Sequence, residues 1–292
     1  MFKFIGVIFL LIIASVCDAY DIIYSAREEY YKSQIYVMDE GGTVRLLAQT
    51  INENIGYNSL DSTENGDYIV ARSHEIGGNY KVTIFNSMGE IKKSLRLSGY
   101  MDYPIFSANE NGVYFVHSSS GEVSKSVISY WDFNVGSVES VNPKQDTYSN
   151  LFLLNENNTL GCLINYKNLA LQNLLSNEIK LIYESEGLIY NPVFYNNSRV
   201  LLIENVNESY KIIEIDIITD KISNVFTSSR EIFFIEKLPT QSSLLVGLAA
   251  SESSYDTVFY EAQLYNEGVE LLNNPIHIVE APVYLPVAID RH

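Results

Sequence analysis

The chain has 292 residues, and 36 acidic against 19 basic side chains give it a formal net charge of −17. Apolar residues make up 47% of the sequence, which is enough to bury a core and excludes a disordered chain. The acid excess argues against a nucleic-acid partner, because phosphate binding needs clustered lysine and arginine. Tyrosine (22 residues) outnumbers phenylalanine and tryptophan together, which favours β-strands over helices.

The first 19 residues are predicted to be a signal peptide. Lys3 precedes an apolar run, 4–16, that is too short for a comfortable membrane span, and small residues place a cleavage site after Ala19. We therefore expect a periplasmic or secreted protein with no membrane span after cleavage. Two alternatives keep it at the membrane: an uncleaved N-terminal anchor, or a lipid on Cys17, although the residues before Cys17 fit a lipoprotein signal badly.

From residue 20 onward the sequence repeats a β-hairpin pattern. Two apolar segments separated by a polar, glycine-containing turn occur near both ends of this region, at 34–47 and at 261–272. Weaker copies have their turns at Asn86, Asp132, Asn173 and Asp216. The average step of about 45 residues is the length expected for a propeller blade.

A second marker keeps the same period. Asn65-Gly66, Asn111-Gly112 and Asn157-Asn158 follow one another at intervals of 46 residues. Each pair is predicted to supply the positive backbone angle of a tight turn between strands. About four short strands per unit and six units predict an all-β fold, a six-bladed β-propeller of four-stranded antiparallel blades, spanning 20–292 as a single domain. The alternative is a two-sheet sandwich, which seldom shows a six-fold sequence period.

The two ends of the chain are predicted to meet in one blade. The segments 103–106 and 191–194 begin the inner strands of two copies, and 281–284 matches them although almost no chain follows it. The segment 21–25 matches a second strand that lacks a first. We therefore expect the C-terminal strand to complete the N-terminal blade, with Val283 alongside Ile22 and Ile23, because an open ring would leave unpaired strand edges.

The first repeat resembles a known family. The segment 24–27, leading into 34–39 and Gly41-Gly42, is similar to the repeat of the TolB-type six-bladed propellers. In that family a Ser-Pro-Asp-Gly turn precedes each second strand; the closest copy here is 107–112, and no copy keeps Pro-Asp-Gly. The resemblance implies a stand-alone propeller, without the α/β domain that TolB carries before its own, and a role in binding other envelope proteins.

Catalytic motifs are absent from the sequence. It has no nucleophile elbow, phosphate loop, dinucleotide-binding glycine motif or His-Glu-x-x-His zinc motif, and no cofactor is predicted. The segment 61–66 imitates the start of a calcium loop, but Arg72 stands where a glutamate is required, which favours a plain turn. His74 and His117 fall near the ends of strands in adjacent blades, so a metal between them is a weaker alternative to two strand-end polar residues.

The remaining candidates are surface aromatics. Tyr30 and Tyr31 are the best binding candidates, because they fall in a loop while most other aromatics alternate within strands and are expected to pack between blades. Cys162, in an apolar run, is expected to be a buried small side chain.

Two functions follow from these observations. The first is a monomeric, non-enzymatic binding or scaffold protein of the cell envelope, whose propeller rim recognises a protein or polymer. The alternative is a secreted polysaccharide lyase or hydrolase that uses the axial channel, with or without a metal.

Overall fold

The computed structural model describes residues 20–27, 32–49, 55–75, 79–154, 158–196, 198–239, 243–265, 268–272, 274–281 and 283–290. These residues form β-strands and one short 3-10 helix, Val123–Lys125. Among them no helix is long and apolar enough to cross a membrane. The predicted signal peptide, 1–19, lies outside the described residues.

The strands are short and separated by polar turns, and the side chains of the outer strands are mostly exposed or half-buried. In chain order they are β1 (Tyr20–Arg27), β2 (Ser33–Asp39), β3 (Val44–Ala48), β4 (Ile55–Ser62), β5 (Tyr68–Glu75), β6 (Asn79–Asn86), β7 (Ile91–Arg96), β8 (Tyr100–Phe106), β9 (Gly112–Ser118), β10 (Ser126–Asp132), β11 (Val138–Asp146), β12 (Tyr148–Leu154), β13 (Thr159–Ile164), β14 (Asn168–Asn173), β15 (Ile179–Glu184), β16 (Leu188–Asn196), β17 (Arg199–Val206), β18 (Ser209–Asp216), β19 (Lys221–Ser228), β20 (Ile232–Lys237), β21 (Ser243–Ala249), β22 (Thr257–Tyr265), β23 (Gly268–Leu271), β24 (His277–Val279) and β25 (Val283–Asp290).

Six antiparallel sheets form the blades of a propeller, as the sequence predicts. Blade 1 has the strand order β25-β1-β2-β3, and blades 2 to 5 are the successive groups β4–β7, β8–β11, β12–β15 and β16–β19. Blade 6 contains β20–β23, with β24 pairing beside β23 on β22. The first strand of each blade contacts the first strand of the next, and β25 contacts both β20 and β4, which closes the ring. These six inner strands surround the axis.

The predicted closure is confirmed, but its register is wrong. Strand β25 pairs with β1, so the C-terminal strand completes the N-terminal blade. Val283, however, pairs with Ala26, while Ile22 and Ile23 pair with Ala288 and Val287. The cause is a mismatch of the repeats: Pro286, four residues after Pro282, faces the axis together with the prolines of β8 and β16.

The hairpins between the third and outer strands confirm the predicted turns. In four of them an Asn or Asp side-chain Oδ1 accepts backbone N–H groups of the turn, which fixes the turn as an Asx motif. The four capping residues are Asn86, Asp132, Asn173 and Asp216. The positive φ that such a turn requires falls on Gly89, Gly136, Asn177 and Asp220, and Asp39 with Gly42 forms the corresponding turn of blade 1.

The turns between the first and second strands are present, and two of the three predicted pairs supply the positive φ, while the third turn is out of the predicted register. Positive φ angles occur at Gly66, Glu110 and Asn158, not at Asn111-Gly112. The hydrogen bonds explain the difference, because the N–H of Thr63 reaches the carbonyl of Tyr68 as the N–H of Ser107 reaches that of Gly112. Thr63 is therefore equivalent to Ser107, and these two repeats are 44 residues apart instead of 46.

The hydrophobic core lies between the blades. Six clusters of buried apolar side chains occur among the described residues, one at each contact between neighbouring blades. The cluster between blades 6 and 1 combines Phe234 and Phe259 with Ile22 and Val283, and so it also seals the ring. Each fully buried aliphatic or aromatic side chain contributes about 1.5–3 kcal/mol. Cys162 is fully buried between blades 3 and 4, as predicted.

Candidate functional site

A repeated irregularity in the inner strands shapes the axial channel. Ser59, Tyr103, Asn150 and Asn191 have positive φ angles of 51°, 50°, 45° and 48°, and the pairing register with the second strand shifts beside each of them. Such a bulge bends a strand and redirects the side chains that follow it. All four of these bulge residues lie on the wall of the channel.

The channel has a volume of about 790 Å³ and is lined by all six inner strands. Its wall combines polar side chains with apolar ones, and it includes proline at 104, 192, 239 and 286. Its charged lining residues are Asp61, Glu64, Glu110, Glu236 and Lys237. Glu64 and Glu110 belong to turns after β4 and β8, so the channel opens at the end of the propeller where the inner strands finish.

Asp61 and Glu236 lie at equivalent positions of two blades. Thr63 and Leu238 are equivalent, because the N–H of each donates to the carbonyl of the residue five positions later, across the turn. Asp61 and Glu236 each lie two residues before that position. Asp61 also lies two residues after the bulge of β4. In the other four blades this position is apolar: Ile105, Phe152, Val193 and Val287. The two carboxyls therefore flank the closing strand of blade 1, one from each side.

Each of these carboxyls is held by the backbone of the next inner strand. Asp61 Oδ2 accepts the N–H of Phe106 at 2.7 Å, and the Glu236 carboxylate accepts the N–H of Ala288 on the closing strand. Ala288 follows Pro286 by two residues as Phe106 follows Pro104 by two, so the two hydrogen bonds are repeats of one arrangement. A carboxylate accepting a backbone N–H makes a stronger bond than a neutral acceptor would.

Burial raises the pKa of both carboxyls. Burial raises the pKa of Asp61 to about 7, against the opposing effect of the N–H groups of Phe106 and Ser62. Burial, and after it the negative charge of Asp61, raises the pKa of Glu236 to about 8, against the opposing effects of Ala288 and Lys237. The pair is therefore not fully ionised at neutral pH. Because both side chains keep some surface open to the channel, a cationic group there would favour their ionisation and release protons.

A second polar cluster lies between blades 2 and 3. Asp102 is buried, and its carboxylate accepts the hydroxyls of Ser59 and Tyr100, both at 2.7 Å, and the N–H of Tyr103 at 2.8 Å. Arg72 Nη1 lies 3.5 Å from Asp102 Oδ2, and its guanidinium also stacks over the rings of Tyr80 and Tyr100. With its acceptor positions occupied by the protein, Asp102 serves to join two blades.

The predicted site residues have different outcomes. Tyr30 and Tyr31 lie outside the described residues, so their binding role stays a prediction. His74 lies near the end of β5 and His117 near the end of β9, where His117 Nε2 is 3.1 Å from the carbonyl oxygen of Ser98. In the described part of the chain no group of three or more His, Cys, Asp or Glu side chains could hold a metal ion. The two-histidine metal site also stays a prediction.

Sequence reasoning missed the paired carboxyls of the channel. Asp61 attracted attention only as the first residue of the calcium-loop imitation, and the segment 63–68 forms a hydrogen-bonded turn. The signal was present in the repeats: with Thr63 aligned on Leu238, acidic residues fall two positions earlier in both blades. An alignment based on the asparagine pairs, with its 46-residue step, hides this relationship.

No family model matches the sequence, and no curated protein does. Solved structures do match. The crystal structure of TolB from Acinetobacter baumannii has a TM-score of 0.70 and 14% identity over 93% of this chain and 67% of that chain. A putative TolB from Agrobacterium tumefaciens has a TM-score of 0.62 and 8% identity over 94% and 99%.

A third match comes from a structural analysis of two prolyl endopeptidases. It has a TM-score of 0.56 and 12% identity over 87% of this chain, which spans only 42% of that chain's length. Identities this low show the fold alone. Together with the six four-stranded blades and the closing C-terminal strand, these comparisons show that the chain has the fold of a TolB-like six-bladed β-propeller.

Proposed function

We propose that this chain is an exported, non-enzymatic binding protein of the bacterial cell envelope that recognises a basic protein or polymer. The observation that carries the proposal is the pair of half-buried carboxyls, Asp61 and Glu236, on the wall of an open axial channel. The two carboxyls are incompletely ionised when no cation lies in the channel. A cationic group that enters would favour their ionised form and so bind with release of protons.

Three further observations support this proposal. The fold is that of TolB-like propellers, which is compatible with an envelope protein although it does not by itself establish a function. The N-terminal 19 residues have the pattern of a secretory signal, which supports export to the periplasm. The net charge of −17 favours a basic partner and a binding strength that falls as salt rises.

Affinity capture from envelope extracts tests the proposal. The mature protein, 20–292, serves as bait at low and at raised salt, beside the isosteric variant Asp61→Asn/Glu236→Gln. We expect a reproducible partner at low salt that the wild-type protein retains better than the variant, and that raised salt releases. A wild-type bait that repeatedly captures nothing specific at low salt would contradict the proposal.

The lyase or hydrolase alternative has no observation in its favour. The described residues bring together no three-ligand metal group, and the sequence has none of the catalytic motifs sought. Metal analysis of the purified protein tests the two-histidine hypothesis directly, since a bound metal that disappears in His74→Ala/His117→Ala would revive it.

A further inference from the structure

Both kinds of turn lie at one end of the propeller. The N–H of Phe133, in a turn between the third and outer strands, donates to the carbonyl of Asn111, in a turn between the first and second strands, at 2.9 Å. The same bond joins Ser87 to Asp67, Leu174 to Asn158 and Ile217 to Ser198. We call this end of blades 2 to 5, with the channel mouth at its centre, the turn face.

An arc of exposed apolar side chains crosses the turn face. Blades 2 to 5 each present one at the tip of the hairpin between the third and outer strands: Met88, Val135, Leu175 and Ile218, which are 74–79% exposed. In every case the backbone N–H of the tip residue donates to the capping Asn or Asp of its turn. The cap fixes the backbone of the tip, so the apolar side chain is held outward.

The fold does not require apolar residues at these tips. Hairpin turns of this kind are usually built from polar residues and glycine, and blade 1 makes its turn with Glu40, Gly41 and Gly42. A single exposed apolar side chain needs no explanation, but four at one position in adjacent blades form a patterned surface. Such a pattern indicates a surface that another molecule covers.

The charge of the turn face limits what that molecule can be. The turns of blades 2 to 5 carry six exposed carboxylates, Glu64, Asp67, Glu90, Glu110, Glu178 and Asp220. In the described part of these turns there is no lysine or arginine. The basic residues beside these turns stand on the flanking strands: Lys92 pairs with Glu90 at 2.7 Å, Lys93 Nζ donates to the carbonyl of Phe133 at 3.3 Å, and Lys180 lies 3.9 Å from Asp220. Arg199 and Lys221 begin β17 and β19. Exposed carboxylates therefore occupy the turns themselves, and the basic side chains lie at their edges.

We propose that the turn face is the docking surface of this propeller, and that its occupant is a protein presenting apolar side chains flanked by lysine or arginine. Apolar contacts with the four tips would supply affinity, and the carboxylates around them would select the basic flanks. An anionic membrane surface or the turn face of a second copy would meet like charge. This inference rests on the proposed function and adds to it the face and the chemistry of the partner.

Peptide binding tests the proposal with a defined probe. The probe is a fluorescent dodecapeptide of alternating leucine and lysine, and its two controls replace every lysine by glutamate or every leucine by serine. The turn-face variant is Met88→Ser/Val135→Ser/Leu175→Ser/Ile218→Ser. The matched variant is Leu188→Ser/Tyr255→Ser, which removes exposed apolar side chains from the opposite end, where β16 begins and the turn between β21 and β22 lies. Thermal unfolding confirms that both variants fold.

We expect the Leu-Lys peptide to bind the wild-type protein at least ten-fold more tightly than either control peptide. The turn-face variant should lose at least ten-fold in affinity, and the opposite-end variant should bind like the wild type. Equal binding by both variants, no binding of the Leu-Lys peptide at low salt, or capture of anionic vesicles through the tips would each overturn the assignment. Capture of the same partner from envelope extracts by both variants, in equal amounts, would also overturn the assignment of the turn face. It would leave the proposed function unaffected.

Discussion

Asp61 and Glu236 occupy one structural position in blades that lie on either side of the closing strand, and each accepts the backbone N–H of the inner strand that follows it. Glu236 therefore ties β20 directly to β25, while Asp61 ties β4 to β8. Two of the six contacts between neighbouring inner strands therefore include a hydrogen bond to a half-buried carboxyl. The same two groups that form the candidate site also hold the ring together near its seam.

This arrangement predicts a fold that becomes less stable as the pH rises. The folded pKa values, about 7 and about 8, lie above the ordinary values of 3.8 and 4.5, so the folded state holds more protons than the unfolded state between them. The stabilisation is complete below about pH 4 and is lost as the pH rises to about 8. Because both groups remain partly open to the channel, we expect a loss of about 2–4 kcal/mol, less than the full shifts imply.

Urea unfolding at pH 5 and pH 8 checks this prediction. The variant Asp61→Asn/Glu236→Gln keeps a neutral acceptor for each backbone N–H and cannot ionise, so its unfolding free energy should change less over this range than that of the wild type. Glu64→Gln, at the exposed channel mouth, is the matched control and should follow the wild type. Parallel profiles for the wild type and the double variant would show that burial of the two carboxyls does not control stability.

The architecture could be predicted because it depends on local chemistry that recurs in every blade. Asn86, Asp132, Asn173 and Asp216 mark hairpins in the sequence since only a short polar side chain can cap the turn, and the structure confirms each one. The closing strand could be predicted because each end of the repeated region has a strand without a partner, and pairing these two strands leaves no open edge in the ring.

The channel could not be predicted from the same signals. Its residues follow bulges at Ser59, Tyr103, Asn150 and Asn191, and only the two asparagines share a side-chain type. The bulges shift the pairing register, so alternation along a strand does not report which side chains face the axis. The register of the closing strand fails for a separate reason, because Pro286, not Pro282, matches the prolines of the other inner strands.

The polar cluster around Asp102 predicts a large loss of stability when its charge is removed. Asp102→Ala leaves the guanidinium of Arg72, whose side chain is 13% exposed, without its buried counterion, and it also strands the hydroxyls of Ser59 and Tyr100. We expect the unfolding free energy to fall by about 3–5 kcal/mol. Ser59→Ala removes only one neutral donor and should cost about 1 kcal/mol.

Chemical denaturation of the two single variants and of Arg72→Met/Asp102→Leu measures these costs. The double variant should be more stable than Asp102→Ala, because it buries no unpaired charge. If Asp102→Ala lowered the unfolding free energy no more than Ser59→Ala does, the ion pair between Arg72 and Asp102 would not contribute to stability.

Glycine at 247 is predicted to be needed for its lack of a side chain. A Cβ there would lie 2.2 Å from Cε1 of Phe234, a fully buried ring in the cluster between blades 6 and 1. Gly247→Ala should therefore lower the unfolding free energy by about 1–3 kcal/mol, through displacement of the ring. Gly41→Ala is the matched control, since its Cβ would meet only the Asp39 carboxylate, at 3.3 Å, and it should change stability by less than about 0.5 kcal/mol.

Thermal unfolding of Gly247→Ala, Gly41→Ala and Gly247→Ala/Phe234→Leu separates crowding from other effects. The smaller leucine makes room for the new methyl group. The double variant should therefore lose less stability than the sum of the losses caused by Gly247→Ala and Phe234→Leu separately. Strict additivity would place the cause elsewhere than in the contact with Phe234.

The contribution of the closing strand to stability can be measured by comparing one valine on that strand with an exposed valine elsewhere. Val287 is 8% exposed, pairs with Ile23 and belongs to the cluster between blades 1 and 2, whereas Val135 is 77% exposed at a hairpin tip. Val287→Ala removes two buried methyl groups from the strand that completes the ring and should cost about 2 kcal/mol. Val135→Ala exposes nothing new and should be neutral within about 0.5 kcal/mol. Because the same substitution is made in both, equal unfolding midpoints in urea would mean that β25 adds no more to the stability of the ring than an exposed loop does.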